Sequence, residues 1–320
     1  MADRPYLEFE RPLVELEKRI SDMRDFSVGE NIQIDGEIVS LEKKLSRLRQ
    51  DIYSGLSRWQ RVQLSRHPKR PFTLDYIARI TTDFVELHGD RFFADDKAMV
   101  GGFAFIDDQP VMIVGHQKGR DTKEKLQRNF GMAHPEGYRK ALRLFQLAEK
   151  FDIPIVVLVD TPGAFPGIGA EERGQAEAIA KNIREMSRIR VPIVVFIIGE
   201  GASGGALGVG VGDRILMLEY AWYSVIGPEA CAAILWRDSG KAPDAAEALR
   251  PTSDDLIELG LIDKVVPEPP GGAHSDHAEA ASIVKREILL ALKELNSIPI
   301  DKLLTERLMK YRKMGEFEER

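Results

Sequence analysis

The apolar positions change period along the chain. Leu13, Leu16, Ile20 and Met23 recur at steps of three and four, and so do Leu41, Leu45, Leu48 and Ile52, with Leu56 and Trp59 extending the second stripe. This spacing predicts two amphipathic helices, parted by the breaker-rich stretch 27–36 and paired as a hairpin or wrapped on a neighbour. Thr73 predicts the N-cap of a third helix that turns Tyr76, Ile77, Ile80, Phe84 and Leu87 inward. From Met99 the period shortens. Segments 99–106 and 111–115 predict two strands around the turn Asp107-Asp108-Gln109-Pro110. In the centre, Ile153-Pro154-Ile155-Val156-Val157 recurs as Val191-Pro192-Ile193-Val194-Val195. Continuous apolar runs of this kind predict strands buried on both faces. Each run leads into a glycine-bearing loop, 160–167 and 199–205, and then a helical stretch. Further strands are expected at 213–218, 222–226 and 261–266, with a helical tail from His274. The alternation predicts an α/β domain with a largely parallel sheet and a site at the strand ends.

Length and composition narrow the function classes. With 320 residues the chain is sized for two domains, or one large α/β domain with extensions. A hydrophobic share of 43% excludes wholesale disorder. A net charge of −6 carries no global signature of duplex nucleic-acid binding. Cys231 is the single cysteine, which rules out intramolecular disulfides and cysteine-rich zinc sites. The first ten residues lack the apolar core of a signal peptide, and the longest apolar run, 191–198, is too short for a membrane span. A soluble protein of the reducing cytoplasm is expected. Segment 116–134 gathers Lys118, Arg120, Lys123, Lys125 and Arg128. It reads as a solvated loop or as a dock for anionic groups, such as phosphates or a partner's acidic face.

The glycine stretch holds the richest chemistry. Seven glycines lie between Gly199 and Gly212, and a helix starting at Ser203 would aim unpaired N–H groups at whatever lies above. Gly199-Glu200-Gly201-Ala202-Ser203-Gly204 fits a dinucleotide fingerprint with Glu219 downstream. Gly201-Ala202-Ser203-Gly204-Gly205 also fits a nucleophile elbow, with Asp263 and His274 in hydrolase order. A third reading is an oxyanion hole built from backbone N–H groups near Gly204 and Gly205. A fourth is a helix–sheet contact that needs only small residues. Residue types alone leave all four open. Asp160-Thr161-Pro162-Gly163 resembles a GTPase metal-side motif, but the phosphate cradle such a site needs is missing from the sequence. His274 and His277 are expected to be solvated, no metal site is expected, and Cys231 reads as a small buried residue.

Longer strings carry a resemblance. Asp160-Thr161-Pro162-Gly163-Ala164-Phe165-Pro166-Gly167 and Gly199-Glu200-Gly201-Ala202-Ser203-Gly204-Gly205-Ala206-Leu207 are similar to the α-subunit family of bacterial acetyl-CoA carboxylase carboxyltransferases. So are the stretches starting at Arg66, Gly115, Asn129, Pro135 and Pro228, so the likeness spans nearly the whole chain. Family members often carry Gly where Ala202 stands and Ser where Gly227 stands. The resemblance implies a crotonase-like fold of repeated ββα units over 67–296, a helical N-terminal extension over 1–66 and a helical tail over 297–320. It implies transfer of a carboxyl group from carboxybiotin to acetyl-CoA, giving malonyl-CoA for fatty-acid synthesis. The biotin sits on a separate carrier protein, and ATP is used by a separate biotin carboxylase. A β subunit of similar fold brings the zinc ribbon and completes the site in an α2β2 assembly. By the same resemblance Gly204 and Gly205, with Ala206 next in line, give the backbone donors for biotin. Gly163, Ala164, Phe165, Gly167, Gly201 and Ser203 line the pocket. The freed biotin nitrogen takes the methyl proton, so no side-chain base is implied here.

Overall fold

The computed structural model describes residues 5–30 and 35–315. Two long helices, Arg11–Glu30 and Asp35–Ser54, lie against each other as the hairpin expected from their stripes. The first runs through 27–30, part of the expected break, and 31–34 fall outside the described residues. Leu13, Tyr53, Leu56, Leu64 and Tyr220 form a cluster of their own, with Leu45, Leu48 and Ile52 packed on it. The second stripe therefore meets the body of the chain itself.

The third helix, Thr73–Ile80, is shorter than its apolar pattern suggests. Phe72 holds the N-cap position, where its N–H donates to the Asp75 carboxylate at 2.7 Å, while the Thr73 hydroxyl reaches the His116 carbonyl. After Ile80 come two β-branched threonines, which favour extended backbone. Phe84 and Leu87 thus approach the core from a strand, β1 (Thr82–Glu86), and its flank.

Strands β2 (Met99–Ile106), β3 (Gln109–His116), β4 (Ile155–Thr161), β5 (Ile193–Ala202), β6 (Arg214–Leu218), β7 (Trp222–Ser224) and β8 (Lys264–Val266) complete one sheet. Its order is β1-β2-β3-β4-β5-β6-β8, and β7 pairs with the far end of β5. The first three strands are antiparallel neighbours, and every later pairing is parallel. The sequence repeat is also a spatial one: Ile155, Val156 and Val157 sit beside Ile193, Val194 and Val195 in register. All residues of β4 and β5 are buried. Segment 116–134 is less open than a loop, since it contains the helix Thr122–Gln127.

The tail folds as His277–Leu295 and Ile300–Arg312. Arg307 of the last helix is fully buried. Its guanidinium makes two 2.7 Å bonds to Asp213 and donates to the carbonyls of Met186, Ile189 and Val191 at 2.7–2.9 Å. A buried charge is tolerable when every donor is matched in this way.

Candidate functional site

The site is built where β5 turns into the helix Ser203–Leu207. Ser203 makes the turn with φ +54°, a left-handed conformation that is costly for a side chain and concentrates at functional sites. N–H groups in a first helical turn have no intrahelical acceptor. Ser203, Gly204 and Gly205 occupy that turn, and Ala206 follows where intrahelical bonding begins. Ser203 is exposed, Gly204 half-buried, and Gly205 and Ala206 buried.

The fold brings the two glycine loops together. A Cβ placed on Gly205 would lie 2.4 Å from the Gly163 carbonyl carbon and 2.6 Å from the Ala164 nitrogen. Only glycine lets the 160–167 backbone approach this closely. Gly163 itself has φ +148°. The loop is pinned from below: the Thr161 hydroxyl accepts the Gly163 N–H at 3.1 Å, and the Phe165 N–H donates to the Ala133 carbonyl at 3.0 Å. Phe165 stacks on His134 at 4.1 Å, and a Cβ on Gly167 would strike its ring. Gly163, Ala164, Phe165 and Gly167 therefore form one wall beside the turn. Gly201 has a different task, because its missing side chain makes room for the Tyr223 ring across the β5–β7 pairing. The Ala202 methyl packs with Val62 and Trp222.

A buried charge network underlies the turn, and the residue pattern gave little notice of it. Lys118 Nζ lies 2.7 Å from Asp160 and 2.6 Å from Glu200, and Arg66 Nε lies 2.6 Å from the other Glu200 oxygen. Asp160 also accepts the Glu200 N–H at 2.9 Å. Burial pushes the Asp160 pKa up, against the pull of Lys118. Burial acts the same way on Glu200, but Lys118 and Arg66 outweigh it and hold that carboxyl below its ordinary range. The network ties the carboxyl ends of β4 and β5 to the segment that follows β3. The only forewarning was charged residues placed beside apolar runs. Of the basic segment, Lys118 is thus half-buried in ion pairs, Arg120 pairs with Asp75 over the Phe72 ring, and Arg128 donates to the Lys97 carbonyl. Lys123 and Lys125 remain exposed. A cleft of about 170 Å³ here is lined by Arg66, Lys118, Arg120, Lys125, Phe130 and Glu200.

The hydrolase and dinucleotide alternatives fail on geometry. Asp263 accepts the Ile215 N–H at 2.6 Å and pairs with Lys310. His274 lies 3.1 Å from Glu10, and its ring sits 3.9 Å from that of His67 at a tilt of 33°. Neither is aimed at Ser203. The helix after the glycines has only five residues, and Glu219 accepts the Glu268 N–H. His274 is also buried, not solvated as its polar loop suggested, and His277 is half-buried against the Lys69 carbonyl at 2.6 Å. Glu10, His67 and His274 offer ligand atoms within 4.8 Å of one another, a cluster hidden by their distance in sequence. His67 and Glu10 already have their bonds filled, and only His274 Nδ1 lacks a partner among the atoms of this cluster. His67 accepts the Lys69 N–H and faces the Pro5 carbonyl, both at 3.2 Å, and Glu10 accepts from Leu7 and Tyr53. The cluster latches the N-terminal segment to the body of the fold.

The family described as acetyl co-enzyme A carboxylase carboxyltransferase-like matches residues 6–315. The acetyl-coenzyme A carboxylase carboxyl transferase subunit alpha of Geobacter metallireducens is 58% identical over 319 residues, covering 100% of both chains. That of Thermus thermophilus is 55% identical over 313 residues, covering 98% of this chain and 99% of its own. Among solved structures, transcarboxylase 12S aligns at TM-score 0.57 and 22% identity, covering 70% of this chain and 41% of its own. A Pseudomonas malonate decarboxylase hetero-tetramer aligns at 0.55 and 21%, covering 67% and 85%. The β subunit of Pseudomonas aeruginosa geranyl-CoA carboxylase aligns at 0.56 and 18%, covering 77% and 46%. At these identities the three structures speak for the fold, which is crotonase-like.

Proposed function

The chain belongs to the acetyl-CoA carboxylase carboxyltransferase α-subunit family, and from that premise we propose how its glycine turn serves carboxyl transfer. The family's reaction is biotin-dependent: a carboxyl group passes to acetyl-CoA and malonyl-CoA forms, the first committed step of fatty-acid synthesis. When bound, carboxybiotin supplies that carboxyl group, and its ureido oxygen gains negative charge as the group departs. In our reading the N–H groups of Gly204 and Gly205, backed by Ala206, stabilise that charge. The observation that carries it is the left-handed Ser203, which ends β5 and opens a first helical turn of unpaired donors. The turn fits such a guest. A Cβ on Gly163 would meet no atom within 4 Å and one on Gly204 only the Ile179 methyl at 3.4 Å, so bare backbone covers the site. The Gly163–Gly167 wall orients the bicyclic ring, and Phe165 covers one side of it.

Only one donor set is evident, whereas the reaction develops charge on two oxygens, the second being the thioester oxygen of acetyl-CoA. A β subunit supplies the other set in this reading, within an α2β2 assembly in the cytoplasm. The biotin arrives on a carrier protein charged by a biotin carboxylase. The isolated chain should therefore give no malonyl-CoA from acetyl-CoA and carboxybiotin, and turnover by the purified chain alone would refute the shared site. It should also bind no stoichiometric metal, since both His67 ring nitrogens and the Glu10 carboxylate are already engaged; one zinc per chain by elemental analysis would contradict that.

Substitution separates backbone donors from a nucleophile. Ser203→Ala leaves the N–H groups in place and should keep most activity in the reconstituted complex. Gly205→Val drives a branched side chain into the Gly163–Ala164 backbone and should cost roughly two to three decades in rate. An assembled but inactive Ser203→Ala complex beside an active Gly205→Val complex would defeat the reading.

A further inference from the structure

Asp160 opens one of the two glycine loops, yet the transfer as described gives its side chain no task beyond an ion pair. Its place in the sheet supplies one. In the parallel pairing of β4 with β5, Ile155 to Val159 lie opposite Ile193 to Ile197, but the next pair is Thr161 with Gly201. From Val159 to Thr161 β4 advances two residues, while from Ile197 to Gly201 β5 advances four. β5 therefore bulges over Ile198, Gly199 and Glu200. The bulge is also where β5 changes neighbours on its other edge. Val194 to Ile197 pair with β6, whereas Glu200 to Ala202 pair with β7.

Two buried side chains grip the bulge, one at each end. Arg70 donates from Nε to the Ile198 carbonyl at 2.8 Å, and its remaining nitrogens meet Glu268 at 2.7 and 2.5 Å. At the other end Asp160 Oδ1 accepts the Glu200 N–H at 2.9 Å and lies 2.7 Å from Lys118 Nζ. A Cβ on Gly199 would sit 2.4 Å from that same oxygen, so only glycine leaves the carboxylate its place. A bulge removes ladder partners, and buried backbone groups are costly unless bonded, so side chains with charge-assisted bonds suit the task.

The segment beyond the bulge carries the donors. Paired to Thr161 on one side and to β7 on the other, residues 200–202 form a short rigid piece that ends at Ser203. A strand rises about 3.3 Å per residue, so this piece projects about 10 Å from the bulge to the turn. A tilt of about 6° at the bulge would swing the turn by about 1 Å, and a misplacement of about 1 Å can cost about a hundredfold in rate. We infer that Asp160 is a positioning residue for the transfer: by fixing the β5 bulge at Glu200 it sets the direction in which the turn presents the Gly204 and Gly205 N–H groups. The inference rests on the oxyanion reading of those two glycines proposed above. The biotin wall is anchored separately, since the Thr161 hydroxyl donates to the Gly131 carbonyl at 2.7 Å. A loosened bulge therefore shows in kcat rather than in KM for biotin.

The test is reverse transcarboxylation, in which malonyl-CoA carboxylates free biotin, by the complex reconstituted with its β subunit. Asp160→Leu removes the acceptor and should lower kcat by about tenfold to a hundredfold, with KM for biotin within about twofold. Asp160→Asn keeps an oxygen for the Glu200 N–H and should recover most of that loss. Gly199→Ala keeps every charge but pushes the carboxylate from its place, and should lower kcat by about tenfold. An assembled Asp160→Leu complex with kcat within about twofold of the parent would overturn the inference. Equal losses for Leu and Asn would do the same, since the charge and not the bulge bond would then matter. A loss confined to KM also overturns it, because it moves Asp160 to biotin binding. If Asp160→Leu fails to assemble, Gly199→Ala decides, and an unchanged kcat there overturns the inference. Gly205→Val in the same assay distinguishes the two levels. Full turnover by Gly205→Val removes the oxyanion reading and this inference with it. Its inactivity beside fully active Asp160→Leu and Gly199→Ala complexes removes this inference alone.

Discussion

At the scale of single residues, the site is made of what side chains leave out. Gly163 and Gly205 are both glycine, for different reasons. Gly163 has open space around it but φ +148°, so Gly163→Ala should strain the backbone without a clash, costing about 1–3 kcal/mol of unfolding free energy and lowering the urea midpoint accordingly. An unchanged midpoint would mean that the loop relaxes at no cost. Lys118 is the opposite case, a long side chain with no freedom between Asp160 and Glu200. Lys118→Met would leave two buried carboxylates sharing one cation fewer, and about 3–5 kcal/mol of stability should go with it. A loss under about 1 kcal/mol in equilibrium denaturation would show that Arg66 alone neutralises the pair.

At the scale of elements, the latch formed by Glu10 and His274 gives the N-terminal helices a titratable anchor. Burial works against the Glu10 carboxylate, but His274, the Leu7 N–H and the Tyr53 hydroxyl outweigh it and bring its pKa from 4.5 down to about 2. The unfolded segment thus binds the proton more tightly than the folded one. The anchor's contribution is complete above the unfolded pKa and fades as pH falls towards about 2. Limited proteolysis near the first helix should rise across that window, and Glu10→Gln should already show the loosened pattern at neutral pH. Equal protection of parent and Glu10→Gln at neutral pH would remove the anchor. This element also shows the reach of sequence reading. The paired Pro-Ile-Val-Val runs announced β4 and β5 because burial on both faces writes itself as unbroken apolar residues. The glycine turn was visible because a turn and a close approach both demand glycine. The Glu10–His67–His274 cluster was not, since its members are joined only by the fold, Glu10 and His274 standing 264 positions apart. His274 looked solvated because its neighbours are polar, although tertiary packing covers it. Phe84 and Leu87 fitted a helical period that the chain abandons at Thr81, where local extended preference wins.

At the scale of the whole molecule, the C-terminal helix completes a core laid down much earlier in the chain. Arg307→Met should lose about 3–5 kcal/mol, because Asp213 is then buried without its counter-charge, and adding Asp213→Leu should return part of the loss. Denaturation of the single and double variants checks both, and a double variant no better than Arg307→Met would show that the arginine's carbonyl contacts dominate. The same contact sets a timetable for biosynthesis. Arg307 follows Asp213 by 94 residues, so at a synthesis rate of about 5–20 residues per second it emerges roughly 5–20 s later. For that interval the nascent chain holds a finished β6 edge beside an acid and three carbonyls still waiting for their cation. A ribosome that stalls within those residues releases a polypeptide with its glycine turn already encoded and its sheet still open to chaperones and proteases.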